Sequence, residues 1–216
     1  MSESLKKKTL KGSLWSTIER LSVQTITFIV MIIMANMLTP SDYGLVGMLT
    51  IFIAISQSLV DSGFSQALIR KQNRTELDNS TVFFFNIVVG VILYVILFFA
   101  SPLIAKFYNE PLLTPLTRLI SLSVIINSFI VVQRALLTAK VDFKSQAKAS
   151  FAGAIISGIT GIWLAYKGHG VWSIAWYQLS NLMVNCILLW YLANWRPKLI
   201  LSLIHISEPT RQEAIS

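Results

Sequence analysis

The sequence predicts an all-α, polytopic transmembrane helix bundle, and three observations carry that prediction. Hydrophobic residues make up 54% of the 216 and charged residues only 13%, about half the charged share of a soluble domain. Mean hydropathy is +0.65. Separate apolar runs recur along the chain with short polar stretches between them, each near the roughly twenty residues that cross a hydrocarbon core about 30 Å thick.

Six spans follow, at about 13–38, 43–60, 82–100, 116–137, 149–166 and 171–191. The first holds no charge from Leu21 to Leu38, yet Glu19, Arg20 and Gln24 lie in its opening turns. Ser13, Ser16, Thr17, Arg20, Gln24 and Thr27 recur at three- and four-residue steps and so share one helical face. Such a stripe faces other helices or a wet cavity, not lipid. Thr39-Pro40-Ser41-Asp42 makes a turn, with Ser41 or Asp42 as the N-cap of the second span. That span carries Thr50, Ala54, Gln57 and Asp61 in register. The third carries Asn86, Gly90 and Tyr94 and ends at Ser101-Pro102. Pro111 and Pro115 bracket the start of the fourth, where Ser123, Asn127 and Arg134 share a face that Thr138 extends. In the fifth, Gly153, Ser157, Gly161 and Ala165 form the small-residue pattern that lets a neighbouring helix come close. The tight turn Lys167-Gly168-His169-Gly170 leads into the sixth, which carries Gln178, Asn181 and Asn185.

Charge sets the orientation. Lys6, Lys7, Lys8, Lys11, Arg70, Lys71, Arg74, Lys140, Lys144, Lys148, Arg196 and Lys198 fall on one side of the six spans, and Lys106, Lys167 and Arg118 on the other. The positive-inside rule makes the richer side cytoplasmic, with both ends of the six-span unit there. This bias accounts for the net charge of +8, so nucleic acid is not an expected partner. The basic segment Met1 to Lys11 leads into a retained first span and shows no signal-peptide cleavage site.

The single cysteine, Cys186, lies in an apolar run and supports neither a disulfide framework nor a metal motif. No histidine or cysteine cluster, paired-carboxylate loop or glycine-rich phosphate loop is present, and His169 sits alone in a turn. The pattern is that of a carrier, not an enzyme, and no cofactor or metal is expected. Asn and Gln in spans ordinarily bond between helices, whereas a charge within a span is a functional candidate. Arg20 is the basic residue held within a span; Asp61, Arg118 and Arg134 lie near span ends, where snorkelling is the ordinary behaviour. Glu19 points about 100° away from Arg20, so adjacency makes no pair of them. An arginine in a wet cavity suits phosphate oxygens through its fork of donors. The candidate substrate or cavity residues are therefore Arg20, Gln24, Asp61, Asn127, Arg134, Gln178, Asn181 and Asn185.

Several blocks carry a family resemblance. They are Lys11-Gly12-Ser13-Leu14-Trp15; Ala35-Asn36-Met37-Leu38-Thr39-Pro40-Ser41-Asp42-Tyr43-Gly44; and Asp61-Ser62-Gly63-Phe64-Ser65-Gln66-Ala67-Leu68-Ile69. Ala105-Lys106-Phe107-Tyr108-Asn109-Glu110-Pro111, Gln133-Arg134-Ala135-Leu136-Leu137 with Asp142-Phe143, Gly168-His169-Gly170-Val171-Trp172-Ser173 and Trp195-Arg196-Pro197 follow in order. Over about residues 5 to 200 the chain resembles the Wzx-type oligosaccharide flippases of the multidrug/oligosaccharidyl-lipid/polysaccharide exporter superfamily, nearest their colanic-acid and teichuronic-acid exporter branch. The resemblance implies a two-lobe fold around a central cavity, of which this chain is the N-terminal six-helix lobe and a C-terminal lobe is missing. It implies transport of undecaprenyl-diphosphate-linked oligosaccharide across a bacterial inner membrane by alternating access. A proton or sodium gradient would drive it, other polysaccharide-assembly proteins would be partners, and Arg20 would meet the lipid diphosphate. A multidrug exporter, a peptidoglycan-precursor flippase, a membrane-embedded glycosyltransferase or polymerase with its catalytic loop elsewhere, and a non-transporting scaffold are the other readings. From Leu201 to Arg211 the chain resembles a translated sequencing adapter, with Gln212-Glu213-Ala214 as its variable index, so 201–216 are expected to be non-native.

Overall fold

The computed structural model describes residues 17, 21–61 and 75–197. Through them run α1 (Leu21–Ala35), α2 (Pro40–Asp61), α3 (Glu76–Tyr108), α4 (Leu113–Ile120), α5 (Leu122–Ala139), α6 (Phe143–Tyr166) and α7 (Val171–Leu192). No strand occurs among the described residues. Four stretches among them are long and apolar enough to cross a membrane: α2, α3, α4 with α5, and α6. The described part of α1 is apolar but shorter. α7 has 22 residues, and its Gln178, Asn181 and Asn185 dilute its hydropathy enough to leave it out of that group. The protein is an all-α, multi-pass membrane bundle.

Caps, more than apolarity, decide where the helices begin. α2 starts at Pro40, and its cap is Thr39 rather than Ser41 or Asp42. The Thr39 N–H donates to Asp42 Oδ2 at 2.9 Å, and the Asp42 N–H donates back to Thr39 Oγ1 at 3.3 Å. Proline at the first helical position lacks only an N–H that would have had no partner there, which moves the cap back to Thr39. Thr75 and Asp78 make the same reciprocal box at the head of α3. Starting there, six residues before the predicted span, α3 runs for 33 residues, or about 50 Å at 1.5 Å each, well beyond a hydrocarbon core. It stops at Asn109, whose φ of 57° takes the left-handed cap conformation.

Pro102 lies inside α3 and cannot donate to the carbonyl of Phe98 one turn back. Ser101 Oγ donates to that carbonyl instead, at 2.7 Å. Arg118 of α4 then donates from Nε to Ser101 Oγ at 3.0 Å and lays its guanidinium 4.2 Å from the centre of the Phe98 ring. Arg118 is thus tied to α3 by a hydrogen bond and a cation–π contact. The predicted fourth span is two helices, since Ser121 breaks it and its hydroxyl donates to the Arg118 carbonyl at 3.1 Å.

The most extensive helix contact joins α6 to α7, antiparallel across the turn where Gly168 and Gly170 take φ of 77° and 52°. Gly153 lies against the Asn185 amide so closely that a Cβ there would overlap it, and Gly161 meets the Tyr177 side chain. α1 packs on the same helix, Val30 over Gly158 and Met34 over Gly161. At the end expected to face the cytoplasm, Phe83 packs edge-on against Phe84, Phe129, Trp190 and Trp195 at 5.4 to 5.9 Å. Trp195 Nε1 donates to Glu76 Oε2 at 3.3 Å, joining the segment after α7 to the start of α3.

Two outcomes follow from this packing. Gly153→Ala should lower stability in detergent by about 1–3 kcal/mol through overpacking, and adding Asn185→Ala should recover most of the loss in thermal unfolding. Arg118→Met should cost about 1–2 kcal/mol by leaving the Ser101–Phe98 node without its cation, read the same way.

Candidate functional site

The residues that α2 aims inward are set by its start. Tyr43, Val46, Thr50, Ile53 and Gln57 follow one another at three- and four-residue steps, so they line one face. That face meets α1 and α7 across a half-open recess of about 290 Å³, lined by Thr27, Met31, Tyr43, Thr50, Tyr177 and Gln178 among others. A second part of about 200 Å³ continues it toward Gln57 and Ile120 of α4. Val46, Thr50 and Gln178 line both parts, which makes them one recess. Close packing of α1 and α7 on the glycines of α6 holds the two outer walls in place.

The recess is mostly apolar, lined by Val30, Met34, Leu49, Ile53 and Ile174 among others, with a few uncharged polar side chains between them. Hydroxyls come from Thr27, Thr50 and Tyr177 and amides from Gln57 and Gln178, and no charged residue is among the described lining. The Tyr43 side chain lines the recess, but its hydroxyl is closed off from it and has no protein partner, and the Thr50 hydroxyl donates to the Val46 carbonyl at 3.0 Å. Charge enters one turn past Gln57. There Asp61, exposed at the end of α2, lies close enough to Arg134 of α5 for their charges to interact. Arg134 is itself exposed.

The predicted residues divide on this geometry. Gln178 lines both parts of the recess. Gln24 is exposed on α1, one turn from Thr27 on the same face. Asp61 and Arg134 line neither part of the recess and lie near enough for their charges to interact. Asn127 is half-buried on α5 and lines neither part. Asn181 and Asn185 serve the α6–α7 seam. Asn181 Nδ2 donates to Ser157 Oγ at 3.2 Å, and Asn185 Nδ2 donates to the Asn181 carbonyl at 2.9 Å. Arg20, the residue assigned to the diphosphate, lies outside the described residues, as do the Ser62–Ile69 block and the adapter-like stretch.

Tyr43, Thr27, Thr50, Gln57 and Tyr177 line the recess without having been among the candidate site residues. The register of α2 pointed to Thr50 and Gln57, and that of α1 to Thr27, but no local signal marks the two tyrosines. Asn86 and Gln133, both fully buried with neither amide atom partnered by protein, lie away from the recess.

A water-filled recess has a direct check. In a Cys186→Ser background, Thr50→Cys should react with a charged, membrane-impermeant maleimide from the aqueous phase. Ile51→Cys and Ile55→Cys, at side chains exposed on the outer surface of α2, should react at least about tenfold more slowly, since thiolate does not form in hydrocarbon. Equal rates at the three positions would make the recess a lipid-filled groove.

Comparison with known proteins agrees with this architecture. Residues 33–211 match the family described as polysaccharide biosynthesis protein, a match that runs into the adapter-like stretch. The teichuronic acid biosynthesis protein TuaB of Bacillus subtilis is 29% identical over 208 residues, 93% of this chain and 42% of that protein. The lipopolysaccharide biosynthesis protein WzxC of Escherichia coli is 25% identical over 182 residues, 84% of this chain and 36% of that protein. The succinoglycan biosynthesis transport protein ExoT of Rhizobium meliloti is 24% identical over 190 residues, 88% of this chain and 38% of that protein. The chain thus spans about two-fifths of the length of these relatives. No solved structure matches. With a helical membrane bundle among its described residues and a family match over most of its length, the chain belongs to the polysaccharide biosynthesis protein family of membrane proteins.

Proposed function

We propose that this chain is one lobe of a flippase that carries undecaprenyl-diphosphate-linked oligosaccharide across a bacterial inner membrane for surface polysaccharide assembly. The recess between α1, α2 and α7 is the observation that carries the reading: a hollow inside a membrane bundle with hydroxyl and amide side chains set among its apolar walls, and with Asp61 one turn past its Gln57. Polar surface at that depth serves a pathway for polar cargo. The family membership and the name of one relative as a transport protein support a carrier over a catalyst.

A second lobe of similar size completes the cavity on this proposal, as in repeat-built transporters. The carrier needs no cofactor, and a proton or sodium gradient drives the cycle. Arg20 and Arg134 supply donors for the diphosphate. The other proteins of polysaccharide assembly deliver and receive it.

Export in a strain deleted for its own flippase tests the proposal. A two-lobe protein containing this chain should restore surface polymer, and residues 1–200 alone should not. Arg20→Glu in the two-lobe protein should abolish export while leaving its membrane abundance unchanged. Failure of the two-lobe protein to export polymer in a strain making its cognate lipid-linked precursor would remove the flippase reading. Unchanged export by Arg20→Glu would remove only the role given to that arginine.

A further inference from the structure

We propose that the outer face of α6 seats an anionic phospholipid of the bilayer. Its phosphate lies at Lys144 and Lys148, and an acyl chain runs along Phe151 and Ile155. Lys144, Lys148, Phe151, Ile155, Ile159 and Trp163 succeed one another at steps of three or four residues, so they form one stripe along the helix. All six are exposed, Ile159 at 65% and Trp163 at 58%. The stripe lies opposite Gly153, Ser157 and Gly161, the residues that meet α7. No α6 residue is among the described lining of the recess. This face is turned to lipid, and the inference holds whatever cargo the lobe carries.

The ends of the stripe match the two surfaces of a bilayer. Tyr166, 80% exposed, continues it beyond Trp163. From Lys148 to Tyr166 is about 27 Å of helix at 1.5 Å per residue, close to a hydrocarbon core of about 30 Å. At the far end Trp163 and Tyr166 are rings of the kind that favour the membrane interface, and Lys167 Nζ stands 5.9 Å from the centre of the Trp163 ring. At the near end α6 begins at Phe143, capped by the Asp142 side chain, which sets both lysines on helical backbone just outside the apolar run. They are one turn apart, about 6 Å along the axis. Their flexible stems let both ammonium groups reach one phosphodiester.

Charge selects the occupant. Lys140 adds a third exposed cation. Asp142, the one carboxylate from 140 to 148, is held by the Ser145 N–H at 3.1 Å and by Ser145 Oγ at 2.7 Å. Lysines near the headgroup plane attract anionic lipid. α3 runs in the same direction and also exposes an apolar face, through Val88 and Ile92, but its head carries Glu76 and Asp78. An anionic headgroup is therefore favoured on α6 and not on α3. A second copy of the chain meeting this face by a two-fold contact would set the lysines against their own counterparts, so the charge admits lipid and opposes self-association. A lipid held there fixes the depth of the helix on which α1 and α7 both pack.

Quenching by brominated lipid tests the proposal on the full chain in phosphatidylcholine vesicles. A bimane on Ile155→Cys, in a Cys186→Ser background, sits roughly 10 Å beneath Lys148, level with bromines placed at mid-chain. Brominated phosphatidylglycerol should occupy the face about fivefold more tightly than brominated phosphatidylcholine at low salt, and the preference should fall as salt is raised. Lys144→Gln with Lys148→Gln should remove the preference, whereas Lys144→Arg with Lys148→Arg should keep it. A bimane on Val88→Cys of α3 should report none. Equal affinity of the two lipids at Ile155→Cys, a preference that survives the glutamines, or the same preference at Val88→Cys would each overturn the assignment. Quenching by neither lipid would overturn it too, since the face would then be covered by protein, whether a second copy or another lobe.

Discussion

The close approach of α6 and α7 is the contact on which the rest of the bundle depends. Lipid offers helices little hydrophobic drive to associate, so packing and interhelical hydrogen bonds must hold them. Gly153, Ser157 and Gly161 clear one side of α6 for Asn185, Asn181 and Tyr177 of α7. Gly158 and Gly161 receive α1 through Val30 and Met34. With α1 and α7 both anchored on α6, the face of α2 that looks between them is left facing a hollow, and the recess is what remains.

That hollow keeps polar and charged chemistry apart. Among the described residues, uncharged amides and hydroxyls stand between the apolar side chains of the recess, and the carboxylate of Asp61 comes one turn past Gln57. Charge inside a membrane bundle is expensive unless water or a partner is at hand, and the exposed end of α2 provides both. The Pro102 break shows the same economy on a smaller scale. A carbonyl freed by proline takes a serine hydroxyl, and the serine takes an arginine that also covers an aromatic ring. Arg118 looks in sequence like a cation free to snorkel, and in the fold it completes this node.

Much of the architecture was legible from one strand of letters. Apolar runs broken by Thr-Pro-Ser-Asp, Ser-Pro and Lys-Gly-His-Gly gave the helices and their turns, because helix-length apolar segments have few other folds open to them in lipid. The small-residue register of α6 announced a close contact. Helix ends were less legible: hydrogen bonding runs past the apolar stretch until a cap stops it, so α3 and α6 begin six residues before the expected spans. The break at Ser121 left no mark in hydropathy.

Among the candidate site residues, sequence alone determined that Gln178, Asn181 and Asn185 share a face of one helix, because 3.6-residue periodicity is a local property. Only the tertiary structure decided that Gln178 meets a cavity while Asn181 and Asn185 meet α6. A polar face turned from lipid can satisfy its hydrogen bonds against a neighbouring helix or against cargo, and the residue types are the same for both. Which one each side chain finds depends on how neighbouring helices are rotated and spaced, a relation between segments distant in the chain that no single segment encodes.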